Sequence, residues 1–241
     1  MALTRNAIKI LAEETVGQYK NPKWFQVRLG KLLTSNFDDA VKMCDKIENL
    51  SLMDFQSVQY FIDDELRLRR SWLTHSELTD KYPWLRWGIT KEPYGILEYE
   101  SQSNFKVRPT GVWIFPSGNV CGSPDGLVYE NEMSTEPSGI IEVKCPWRLR
   151  NFKHLDDGDF ARYLDYVGHD IKLIKTHKYY STIQGNLHAT KMKWCDLVVW
   201  TPVKTIVIRV DLDNEWLDRN IPRIENYYTK WLVPAPSSSS I

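Results

Sequence analysis

Residues 139–145 read Gly-Ile-Ile-Glu-Val-Lys-Cys, an apolar strand-forming run with a carboxylate and an ammonium set inside it. Alternate residues of a strand share a face, so Glu142 and Lys144 point one way, about 7 Å apart along the chain, while Ile141, Val143 and Cys145 point the other. The run therefore predicts one core face and one polar face. A half-exposed strand could carry such a pair with no chemistry attached, and a chain of this size holds about one Glu-x-Lys triplet by composition. The weight changes with "SPDG" at residues 123–126, where a tight Pro-Asp-Gly turn on the preceding strand can bring Asp125 beside Glu142.

Two like charges about 4 Å apart repel by about 4 kcal/mol at an effective dielectric of 20, so the pair must protonate or recruit a cation. Carboxylate, carbonyl and water ligands suit Mg²⁺, with Mn²⁺ as the alternative ion. Lys144, cationic itself, is no ligand; its roles are to orient or deprotonate an attacking water and to offset charge on a phosphorane-like transition state. Two carboxylates and a lysine in this order point to metal-assisted phosphodiester hydrolysis. Cys145 belongs to the core face and is not read as a nucleophile.

Around this run the chain divides into a mainly helical first part and a strand-rich second part. Ala7, Ile8, Leu11 and Ala12 mark a short amphipathic helix, and Thr34, Ser35 or Asn36 can cap another that carries Phe37, Ala40 and Val41. Phe55, Val58, Phe61, Ile62 and Leu66 space a helix over residues 54–72, with Arg67, Arg69 and Arg70 on a solvated face. "WLRWGITKEPYGILEYE" predicts a helix that begins near Pro93 or is kinked there. After Phe105 come the strands "GVWIF", "VCGSPDGLVYE" and "GIIEVKC", joined by polar turns as a meander. Residues 146–177 are irregular, with short helices; a helix over "KYYSTIQGNLHAT", two strands and a last helix through Leu217, Ile221, Ile224, Tyr228 and Trp231 complete an α/β pattern. Residues 1–233 thus form one domain, and 234–241 a flexible Pro/Ser-rich tail.

A formal net charge of zero confines any polyanion-binding surface to a local patch. Residues 144–178 offer one, with eight Lys/Arg against five Asp, interleaved with Trp147, Phe152, Phe160 and Tyr163. His154, His169 and His177 lie in the same region without a metal-binding spacing. Four scattered cysteines exclude a zinc site or a disulfide framework of the usual spacing, and no run of about 18 apolar residues is present to span a bilayer. A soluble, intracellular, reduced protein is expected, acting in the nucleus or cytoplasm of a host cell.

"SPDG" followed by "IEVKCP" resembles the PD-(D/E)XK nuclease signature, in the form seen in the lambda-type phage exonuclease or YqaJ-like viral recombinase family. "WFQVRLGKLLTSNF" is similar to that family's early W-x-x-x-R-x-G-x-x-T-(A/S)-S segment, and "WGITKEP" to its G-x-x-x-E-P element. "HKYYSTIQGNLHATKMKWCDLVVWTP" resembles its late Tyr-x-x-Gln-x-Gln helix followed by Trp-Cys-Asp, through Tyr180, Gln184, Trp194, Cys195 and Asp196. Thr182 replaces the first glutamine of that pair, and a long helical insert separates Arg28 from Glu92.

The resemblance implies a restriction-endonuclease-like core, a mixed central β-sheet flanked by helices. It implies metal ligation by Asp125 and Glu142 with help from Glu92 and the Val143 carbonyl, and a catalytic role for Lys144. Arg28, Ser35 and Ser123, with Tyr180, are implied to hold phosphate or DNA, and Gln184 to bridge Lys144, the water or a phosphate. The implied activity is 5′-to-3′ exonuclease action on linear duplex DNA with a free end, in viral or mobile-element recombination, alongside a homo-oligomer and a single-strand annealing protein. A structure-selective or general endonuclease on DNA or RNA, and a non-catalytic DNA-binding module, are the alternatives.

Overall fold

A computed structural model describes residues 2–49, 79–160, 162–167 and 170–232. The helix expected over 54–72, its arginines, His169 and the tail at 234–241 lie outside these residues.

Helix α1 (Arg5–Glu14) starts where the Thr4 hydroxyl accepts the Ala7 N–H, and it buries Ile8 and Ala12, one turn apart. Asn21 caps α2 (Pro22–Arg28), which has proline in its first turn, where no N–H is needed. Strand β1 (Leu32–Leu33) leads into α3 (Phe37–Glu48), whose Phe37, Ala40 and Cys44 form one buried stripe. Helix α4 (Pro83–Gln102) begins at Pro83 and continues past Pro93, so it does not start at the latter proline. Pro83, at the first turn, sets the boundary instead.

The strands follow as β2 (Lys106–Arg108), β3 (Trp113–Ile114), β4 (Val120–Gly122), β5 (Gly126–Tyr129) and β6 (Gly139–Lys144). They do not form one meander. β4 pairs with β3 and, in parallel, with β1; after the turn at 123–125 the chain crosses into a second sheet of order β10-β9-β6-β5-β2, where β9 is Trp194–Trp200 and β10 is Thr205–Asp211. That sheet is mixed, with β6 and β9 parallel and the other pairs antiparallel. Residues expected to be irregular hold a hairpin of β7 (Leu164–Val167) and β8 (Asp170–Leu173). Their four-residue strands are too short and too polar to show a period. Helices α5 (Lys178–Thr190) and α6 (Asn214–Tyr227) complete the fold, the latter extended by a π turn to Leu232.

The five-stranded sheet is covered on both faces. Tyr99 of α4 packs with Val128, Ile141, Val143 and Val198 on one side; Ile183 and Leu187 of α5 pack with Ile140, Leu197 and Val199 on the other. Each fully buried aliphatic side chain contributes about 1.5–3 kcal/mol. A further core joins Ile8, Phe37, Phe115, Val120 and Ile224 beneath the small sheet. The expectation of one polar face on β6 is therefore corrected: Glu142 is buried, at 6% exposure, among core residues. Strands at the centre of a two-sided sheet are apolar on both faces, and the Glu and Lys interrupt a run that is otherwise continuous.

Candidate active site

The turn at 123–125 is where β4 leaves one sheet and β5 enters the other, and it is held from several sides. The Asp125 N–H donates to the Ile141 carbonyl at 3.2 Å, continuing the β5–β6 ladder, while its Oδ2 accepts the Val143 N–H at 2.6 Å. Gln18 Nε2 donates to the Pro124 carbonyl at 3.0 Å from a turn in which Gln18 itself takes a left-handed backbone, φ 47°. Trp24 Nε1 donates to Ser123 Oγ at 2.9 Å, and that hydroxyl donates to the Gly111 carbonyl. Ser123 thus has its hydroxyl engaged on both sides.

Glu142 and Lys144 do share a face. Lys144 Nζ lies 2.6 Å from Glu142 Oε1 and 3.3 Å from the Val143 carbonyl oxygen. Burial opposes the Lys144 charge, but Glu142 and Asp125 outweigh it and hold the ammonium above the ordinary lysine range. Burial, with Glu142 and Glu92 adding repulsion, raises the Asp125 carboxyl well above its usual value. Glu92, from α4, is pushed up to about 7 by burial, with Lys144 opposing and Glu142 reinforcing the shift. Three carboxyl groups therefore interact around one ammonium, leaving excess negative charge for a proton or a cation to relieve. A cleft of about 280 Å³ opens beside Glu92 and Asp125, walled by Gln18, Tyr19, Lys20 and Thr110.

Among the described residues no three His, Cys, Asp or Glu side chains stand close enough to hold a metal ion together. The donor chemistry nevertheless fits a hard divalent cation: the Lys144 ammonium sits between Glu142 Oε1 and the Val143 carbonyl, so these two oxygens already converge on a positive charge.

Arg28 stacks on Trp24, its guanidinium carbon 3.5 Å from the ring centroid. Burial lowers it to about 10, and among the described residues no carboxylate pairs with it. A desolvated guanidinium without a counter-ion is suited to an anion. Ser35 is exposed, donates to Asn36 Oδ1 and precedes the α3 cap residue, which is Asn36.

Two residues of α5 expected in the site bond elsewhere in this structure. The Gln184 amide is fully buried and committed to backbone, donating to the Asp211 carbonyl and accepting the Asp213 N–H, so the bridge to Lys144 is not made. The Tyr180 hydroxyl donates to Asp213 Oδ2 at 2.6 Å. It is Tyr179 that stands by Lys144, with Nζ 5.5 Å from the ring centroid. Sequence reasoning missed Gln18, Trp24, Tyr179 and Asn186; only the Trp of the early motif and the adjacent Tyr gave any signal. The aromatic patch at 144–178 also dissolves in part, since Phe160 and Tyr163 are core residues while Phe152 is exposed.

The YqaJ-like viral recombinase domain pattern matches residues 23–193, most of the chain and all of the site elements except α1 and its turn. This chain belongs to that family. Solved structures similar to this YqaJ-like domain include an alkaline exonuclease, LHK-Exo, from Laribacter hongkongensis, 19% identical, with TM-score 0.57 over 87% of this chain and 91% of that one. The same exonuclease in complex with dAMP gives 0.59 at 19% identity over the same shares. A phage-related exonuclease from Haemophilus somnus 129PT gives 0.51 at 11% identity, over 84% and 93%. A comparison with curated protein sequences finds no match. The YqaJ-like domain accordingly has the phage-exonuclease fold, a restriction-endonuclease-like mixed sheet between helices. Among the described residues no helix is long and apolar enough to cross a membrane.

Proposed function

We propose that this chain is a divalent-metal-dependent deoxyribonuclease that hydrolyses linear duplex DNA from a free 5′ end, in the recombination or processing of viral or mobile-element DNA. The carrying observation is the Glu142–Lys144 pair on β6, 2.6 Å apart, beside the Asp125 turn that is bonded to Val143, with Asp125 and Glu92 lining a cleft. Family membership and the exonuclease descriptions of the similar structures support the same reading.

In this reading Asp125, Glu142 and the Val143 carbonyl hold Mg²⁺ or Mn²⁺, with Glu92 as the further carboxylate. A bound cation would neutralise the carboxylates and polarise the scissile phosphate. Lys144, held as an ammonium, orients the attacking water and offsets negative charge on the phosphorus oxygens in the transition state. Arg28, on its Trp24 platform, takes the terminal phosphate through its planar fork. Ser35, at the edge of the same segment, offers a hydroxyl to the DNA backbone. Residues 1–233 act as one nuclease domain, in the nucleus or cytoplasm of a host cell, with a homo-oligomer and a single-strand annealing protein as associations.

The test incubates the pure protein with Mg²⁺ and end-labelled linear duplexes beside a closed circle, with Lys144→Ala in parallel. Shortening of the linear duplex from 5′ ends, absent in Lys144→Ala, is expected. Cutting of the circle would sink the exonuclease reading in favour of an endonuclease, and no metal-dependent cutting of any substrate would sink the nuclease reading itself.

A further inference from the structure

Asn186, 1% exposed on α5, has both ends of its amide engaged in the site. Its Nδ2 donates to Glu142 Oε2 at 3.2 Å, and its Oδ1 accepts the Thr34 hydroxyl at 2.7 Å. The orientation is forced: an ionised carboxylate only accepts, so the amide turns its NH₂ toward Glu142 and leaves its carbonyl for a donor, which Thr34 supplies. Room for this chain of bonds comes from Gly122, the last residue of β4 before the Asp125 turn. A Cβ there would lie 2.3 Å from Asn186 Oδ1 and 3.0 Å from Thr34 Cγ2.

The bond divides the Glu142 carboxylate. Oε2 is held by Asn186, and Oε1 is left facing the Lys144 ammonium, which also reaches the Val143 carbonyl. We propose that Asn186 is a positioning residue: with Thr34 it fixes the Glu142 carboxylate so that a single oxygen, Oε1, is presented to the divalent cation. The proposal rests on the metal-dependent reading above. Without the amide, Oε2 loses its donor in a buried place, and the carboxylate is free to turn and take the Lys144 ammonium with both oxygens. Partners that orient a ligating carboxylate typically change metal affinity by about 10- to 100-fold when removed.

The test measures Mn²⁺ binding by titration calorimetry on the full metal-stripped chain, comparing wild type with Asn186→Leu, Thr34→Val and Thr34→Ser. Thermal unfolding in chelator establishes the folded fraction of each. Asn186→Leu is expected to bind Mn²⁺ about 10-fold more weakly, Thr34→Val more weakly by a smaller factor, and Thr34→Ser, which restores the hydroxyl, like wild type. Wild-type affinity in folded Asn186→Leu overturns the proposal, as does a wild-type chain that binds no divalent ion. If Asn186→Leu fails to fold, unchanged affinity in the near-isosteric Thr34→Val overturns it. A wild type that binds Mn²⁺ yet cleaves nothing defeats the nuclease reading alone, because the affinity series still decides the role of Asn186.

Discussion

Glu142 on β6 and Asp196 on β9 are both buried carboxylates on neighbouring strands, pointing to opposite faces of one sheet, since Asp196 registers with Ile141 and Glu142 with Leu197. Asp196 is closed off. Arg209 grips both its oxygens, Nε to Oδ1 at 2.5 Å and Nη2 to Oδ2 at 3.0 Å, and the Tyr99 hydroxyl donates to Oδ2 at 2.7 Å. The guanidinium carbon lies over the Trp194 ring, 3.6 Å from its centroid. Charge is balanced and both oxygens have donors, so this triad joins α4 to β9 and β10. Around Glu142 the balance is left open: two more acids crowd a single lysine, and their carboxyls are raised by burial first and by mutual repulsion second. The same buried group is closed off where its counter-charge is complete and open to a further cation where it is short of one.

Four measurements can break or sharpen that contrast. The largest effect is expected for Lys144→Ala, which should lower metal-dependent cleavage of linear duplex by about 10³-fold with thermal stability little changed; a variant that unfolds instead would make Lys144 part of the scaffold. Asp196→Ala should do the reverse, losing about 3 kcal/mol of stability in urea unfolding while its folded fraction cleaves normally. Loss of activity without loss of stability would end the distinction between the two carboxylates.

Arg28→Ala should remove a preference for 5′-phosphorylated over 5′-hydroxyl ends of about 10-fold, the scale of one charge-assisted contact. Equal loss on both ends would remove Arg28 from the phosphate.

The smallest effect is a pH dependence away from the site. Burial, with Lys191 beside it, depresses His188 to about 4, and its ring packs 4.8 Å from Phe115. A group whose folded pKa is depressed gives stability that is present above its unfolded value of about 6.5 and lost as pH falls toward 4. The unfolding midpoint should decline across that window in wild type and less so in His188→Gln; identical profiles would show that this ring does not titrate with unfolding.

The strand at 139–145 could be read from sequence because its period of two survives any context, and the Asp125 turn because proline and glycine specify it locally. What failed was the choice of face. Ten of the thirteen residues of α5 are buried, so no polar stripe marks which side meets the sheet. Tyr180 was chosen, yet the Tyr-x-x-Gln-x-Gln spacing, with Thr182 and Gln184 in the glutamine places, falls one residue earlier, on the Tyr179 that stands beside Lys144. Asn186 and Gln18 were invisible for another reason: each matters through partners distant in the chain, Glu142 and Thr34 for the first and Pro124 for the second. The loop-to-sheet crossing at 123–125 likewise depends on β1, which two leucines cannot announce.

The bond between Thr34 and Asn186 spans 152 residues of chain. At roughly 5 to 20 residues per second a ribosome needs roughly 8 to 30 s to make the second partner after the first. Until then the carboxylate it orients has no holder, so a chain released early, even one containing Asp125, Glu142 and Lys144, lacks the helix that completes the site. In the reading proposed above, cutting activity therefore waits until α5 has been made.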